Sequence, residues 1–106
     1  MAFMQITVLP METGDTSLSA YIADIQEILR DTKLDYEMND MGTVINGSPA
    51  LLFQVAEALH SCPFQHSVQR VITQITLDER RDKTQHLGEK KGAVLSVLAE
   101  REKNQQ

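Results

Sequence analysis

The sequence predicts an α+β fold, a ferredoxin-like βαββαβ sandwich with an added C-terminal helix, and three observations carry that reading. Apolar and polar residues alternate over four short runs, apolar residues recur at helical spacing over three longer ones, and the runs follow the order strand, helix, strand, strand, helix, strand, helix. Right-handed crossovers in such a chain put both main helices on one face of a four-stranded antiparallel sheet. At 106 residues there is material for one core and no second. We assign residues 1-99 to a single domain and residues 100-106 to a frayed tail.

Residues 3-9 alternate, with Met4, Ile6 and Val8 on one side and Gln5 and Thr7 on the other, and Pro10 is expected to close this first strand. Leu18, Ile22, Ile25 and Leu29 then recur at i, i+4, i+7 and i+11, which predicts an amphipathic helix over about 18-31 capped by Asp15, Thr16 or Ser17. Leu34, Tyr36 and Met38 alternate with Asp35, Glu37 and Asn39, and TVIN follows the NDMG turn, so a hairpin comes next. Ser48-Pro49 is a helix start, because serine caps free amides and proline in the first turn sacrifices no hydrogen bond. Leu52, Val55, Ala56 and Leu59 form its stripe, and Pro63 ends it. RVITQITLD, residues 70-78, is the fourth strand, and Leu87, Val94, Leu95 and Leu98 mark the last helix.

This arrangement leaves the second face of the sheet bare, with Gln5, Thr7, Ile72, Gln74 and Thr76 beside Phe3 and Leu9. Such a surface is too apolar to stand open, so a homodimer or homotetramer is expected.

Charge and cysteine usage exclude several classes of function. Residues 1-50 hold eight Asp/Glu against two Lys/Arg, the whole chain carries a net −5, and there is no Trp. A nucleic-acid partner would need a basic footprint and stacking aromatics, so none is expected. No run of about 18 apolar residues is present, which argues against a membrane partner, and the single Cys62 suits a reducing cytoplasm.

Residues with chemical potential are few. His60, Cys62 and His66 lie close together, but their spacing is not that of a known metal site and no fourth ligand is evident. The loop METGDTSLS has hydroxyls and a helix start, yet it lacks GxxxxGK, and no Lys or Arg occurs before Arg30. The run Asp78, Glu79, Arg80, Arg81, Asp82 reads as a solvated salt-bridge cluster. No catalytic residue, metal ligand or cofactor is assigned.

Three segments taken in order, TVLPMETGDTSLSAYIADI, YEMNDMGTVINGS and RVITQITLDERRD, resemble the thiamine-binding ferredoxin-like proteins long catalogued as a domain of unknown function. The likeness spans roughly residues 3-98 and is specific in combination. It implies a non-enzymatic cytoplasmic protein that binds thiamine or its hydroxymethylpyrimidine half as a dimer or tetramer. By the same resemblance the polar pocket positions fall on Ser17 and Ser19 at the first helix and on Gly42 and Thr43 in the M-G-T turn, with Tyr36 as a ring contact. Asn46 stands where the family usually has a glutamate.

Other users of a similar fold fit less well. An acylphosphatase-like enzyme needs an arginine in the first strand-to-helix loop, and an RNA-recognition module needs aromatics on its central strands; neither is present. A structural or regulatory oligomer sensing another metabolite is the alternative.

Overall fold

A computed structural model describes residues 1–12 and 18–105. Its elements are β1 (Ala2–Met11), α1 (Leu18–Thr32), β2 (Asp35–Asn39), β3 (Gly42–Gly47), α2 (Pro49–Ser61), a 3-10 turn (Cys62–His66), β4 (Arg70–Glu79) and α3 (Glu89–Asn104). The four strands form one antiparallel sheet in the order β2-β3-β1-β4, as the ferredoxin-like reading requires. The caps expected for α1 lie outside the described residues. At α2 the Ser48 side chain accepts from the Leu51 amide at 3.3 Å, with Pro49 in the first turn.

Strand periodicity decides what each face carries. Met4, Ile6 and Val8 of β1 and Ile45 of β3 turn toward the helices, where Ile25 and Leu29 of α1 and Leu52, Val55 and Leu59 of α2 complete the core. The opposite residues, Phe3, Gln5, Thr7 and Leu9 with Ile72, Gln74 and Thr76, share the second face through the β1–β4 register. Ile75 and Leu77 of β4, paired with Ile6 and Met4 on the helix side, nevertheless stay exposed.

Two expectations are corrected. Pro10 does not end the first strand: β1 runs to Met11, with Pro10 opposite Val71. The ladder to β3 stops at the Ile6–Thr43 pair, so beyond it β1 has β4 on one flank only, which is the edge-like setting a strand proline tolerates. The C-terminal residues 100-104, expected to fray, continue α3 to Asn104.

That last helix buries no side chain against the rest of the chain. None of its residues is buried, and Val94, Leu95, Val97 and Leu98 are between 46% and 58% exposed. The radius of gyration is 17.0 Å, against about 13 Å for a compact chain of this length. Likewise the accessible surface is 7617 Å², where about 6,000 Å² is usual for this mass. No described helix is long and apolar enough to cross a membrane.

Candidate functional site

The early end of the β1–β3 ladder opens a cleft. From Thr7 onward β1 proceeds without β3, and the β2–β3 hairpin and α1 close around that flank to enclose about 400 Å³. Leu18, Ile22 and Ile25 of α1 and Met38 and Met41 of the hairpin give it apolar walls. Its polar groups come from Thr7, Gln26, Asn39, Asp40 and Thr43. A mostly apolar hollow of this size with a few convergent polar groups is the usual form of a small-molecule site.

Thr43, at 5% exposure, is the buried polar residue of the lining, on the helix-facing side of β3. Gln26 Nε2 donates to its hydroxyl at 3.3 Å, which leaves the Thr43 O–H free to act as donor. The hairpin tip is pinned locally: Asn39 Oδ1 accepts from the Met41 amide at 2.8 Å, and Thr7 Oγ1 donates to the Met41 carbonyl at 3.0 Å. Gly42 is required between them. A Cβ there would lie 2.7 Å from Thr7 Oγ1 and 2.9 Å from the Ile6 carbonyl oxygen, and its φ of +153° disfavours a side chain. Asp40 is the one charged residue among the described residues lining the cleft, so the local field favours a cation.

The structure treats the sequence-predicted site residues differently. Gly42 and Thr43 line the cleft together. Ser17 lies outside the described residues. Ser19 stands exposed in the first turn of α1, next to the cleft residue Leu18. Tyr36 packs against the hydrophobic core, two residues before Met38, which takes the place in the cleft lining. Asn46 differs from Thr43 in strand parity and therefore lies across the sheet, buried beneath Gln85. Sequence reasoning missed Gln26, Thr7 and Asp40. Gln26 was findable, since it falls four residues after Ile22 and three before Leu29, at the margin of the buried stripe of α1.

The model of the family described as thiamine-binding protein matches residues 4–95. The chain belongs to the thiamine-binding protein family. Among relatives of this chain, a UPF0045 protein from the glkA 3′ region of Staphylococcus xylosus is 41% identical over 102 residues, covering 92% of this chain and 95% of its own. The UPF0045 protein YqgV of Bacillus subtilis is 42% identical over 87 residues, covering 78% of this chain and 84% of its own. A crystal structure of a hypothetical protein from Methanocaldococcus jannaschii superposes with a TM-score of 0.78 at 28% identity, covering 88% of this chain and 94% of that one. The family match therefore runs from Met4 of β1 through β4, cleft residues included, and into α3.

Elsewhere the residues with chemical potential have other partners. His60 Nδ1 meets Thr73 Oγ1 at 2.7 Å, and His66 Nε2 meets Asp24 Oδ2 at 2.8 Å, so the two rings tie α2 to β4 and the 3-10 turn to α1. Cys62 is buried, and that burial, with Asp24 second, pushes its thiol up from the ordinary value and away from the reactive thiolate. Among the described residues no group of three His, Cys, Asp or Glu could hold a metal. After β4, Arg80 pairs with Asp82 and Arg81 with Glu79, all at the surface, as the alternating charges suggested.

Proposed function

We propose that this chain binds thiamine or its hydroxymethylpyrimidine half in the cleft between α1 and the β2–β3 hairpin, without chemical conversion. The observation that carries this reading is the Thr43 hydroxyl at the base of the cleft, oriented by Gln26 and able to donate to a ring nitrogen. The apolar walls suit a flat heterocycle, and Asp40 complements a thiazolium cation. The family's description as thiamine-binding supports the same ligand. Ser17, Ser19 and Gly42 belong to this proposed site through the family resemblance, with Gly42 also on the cleft lining. Tyr36 and Asn46 act from outside it, through the core and the opposite sheet face. Calorimetry with thiamine, hydroxymethylpyrimidine and a panel of other metabolites tests the reading. Saturable heat from the first two supports it; saturation by an unrelated metabolite alone replaces it with the metabolite-sensing alternative.

The working unit in this proposal is a homodimer or homotetramer in the reducing cytoplasm. The excess surface of the single chain, the uncovered apolar residues of α3 and the exposed Ile75 and Leu77 support an assembly in which a second copy covers them. The one free thiol, buried at Cys62, supports the compartment. Light scattering at micromolar concentration gives twice or four times the chain mass on this reading, and the mass of one chain overturns it.

A further inference from the structure

The two edges of the sheet are built differently. All ten residues of β4 pair with β1 on one flank, and among the described residues no strand lies on the other. An open edge offers unpaired N–H and C=O groups to any extended chain, so proteins usually guard it with short length, charge or proline. β2, at the opposite edge, is guarded: it has five residues, and Asp35 and Glu37 are two of them. β4 is not. From Val71 to Leu77 it reads VITQITL, with no charge, proline or glycine, and none of its ten residues is buried. Ile75 and Leu77 on its helix side are 45% and 37% exposed.

The order of residues along β4 says what this edge accepts. Arg70 and Asp78 lie near its two ends and, by parity, on one face. When two copies of β4 run antiparallel about a two-fold axis at Gln74, Arg70 of each lies opposite Asp78 of the other. The same register sets Val71 opposite Leu77, Ile72 opposite Thr76 and Thr73 opposite Ile75, so every exposed apolar residue of the strand gains a cross-strand neighbour. Neighbouring registers that keep the faces matched do worse. An axis at Ile75 sets Arg70 against Arg80 and Ile72 against Asp78, and an axis at Thr73 carries Leu77 past the start of the other strand. The area is also sufficient: the accessible surface of 7617 Å² exceeds that of a compact chain of this mass by more than the about 800 Å² per partner that a stable dimer buries. We propose that the open edge of β4 is a self-association surface, where two copies join in this register into one continuous antiparallel sheet. This rests on the reading that the chain works as an assembly, and it names the surface and the register. The cleft lies on the β3 side of β1, away from this edge, and stays open.

Cross-linking of the full chain in a Cys62→Ser background tests the register, beside light scattering of the wild type. Co-expressed Val71→Cys and Leu77→Cys chains should be joined by a short bismaleimide, since opposite Cβ atoms lie about 5 Å apart. Neither variant alone should be joined, because its two cysteines stand six residues along the seam, or about 20 Å apart. Ile75→Asp puts a carboxylate into the seam at a position already exposed in the single chain, so the fold should persist while sedimentation shows the dimer weakened by at least about tenfold. A single-chain mass for the wild type would overturn the assembly and this surface with it. An assembly whose Val71→Cys and Leu77→Cys chains are not joined, or whose affinity is unchanged by Ile75→Asp, would overturn the β4 edge alone.

Discussion

Replacing Thr43 by valine removes one hydroxyl from the base of the cleft and almost nothing else. The two side chains have nearly the same volume and both favour strands, so β3 and its ladder to Ile6 should survive. On folding, the loss is the Gln26 contact, which at 3.3 Å is at the long end for a hydrogen bond, and Gln26 is only half-buried, so its freed amide can turn to water. That costs about 0.5 kcal/mol, or a fall in melting temperature of roughly 2–4 °C for a domain of this size. On binding, the variant loses one hydrogen bond from a hydroxyl that is 5% exposed, and the ligand nitrogen is left facing a methyl group. We therefore expect thiamine or hydroxymethylpyrimidine affinity to drop by about two- to tenfold, equivalent to about 0.5–1.5 kcal/mol. Calorimetric titration of wild type, Thr43→Val and Thr43→Ser decides it, with the serine variant expected to keep most of the affinity. Equal affinity in wild type and Thr43→Val would refute the role given to this hydroxyl.

Three further outcomes follow from the same geometry. Gly42→Ala forces a Cβ against Thr7 and the Ile6 carbonyl, so it should cost about 1–3 kcal/mol, seen as a melting temperature lower by at least about 5 °C; an unchanged transition would mean that the hairpin tip is not held as described. Cys62→Ser should retain ligand binding, and a thiol reagent should modify native wild type far more slowly than the denatured chain, because burial keeps the thiol protonated. The Arg80 hydrogen bond holds the Asp82 carboxyl down to about 2 from an ordinary 3.8. Since the folded value lies below the unfolded one, the pair's small contribution is complete above about pH 4 and disappears as the pH falls toward 2; carboxyl NMR titration should show this, and Arg80→Gln should return Asp82 to the ordinary range.

Much of the fold was legible because it rests on local periodicity. The alternation in residues 70-78 and the stripe of Leu18, Ile22, Ile25 and Leu29 each report which side faces inward, Ile25 and Leu29 into the core and Leu18 and Ile22 into the cleft, and chain order then limits the topology. Where β1 parts from β3 was not legible, because ladder length depends on how far the partner strand extends; hence Pro10 reads as a stop in sequence and sits inside a strand in space. The cleft depends on that same non-local fact. Gly42 and Thr43 could be named from the M-G-T segment, but Gln26 and Asp40 become neighbours of Thr43 only once α1 lies over the hairpin. Asn46 shows the converse, since three residues along a strand is a change of face, and nearness in sequence to Thr43 does not bring the two side chains together. α3 has the apolar residues of a packed helix and no surface in its own chain to receive them, a mismatch invisible to periodicity.

The most direct test of the central claim is an amide NMR titration of the wild-type chain with thiamine. The account predicts saturable shifts confined to the cleft, at Thr7–Leu9, Ile22–Gln26 and Met38–Thr43, with the hydroxymethylpyrimidine half reproducing those nearest Thr43. Shifts that never saturate, or that saturate away from these three segments, would contradict it.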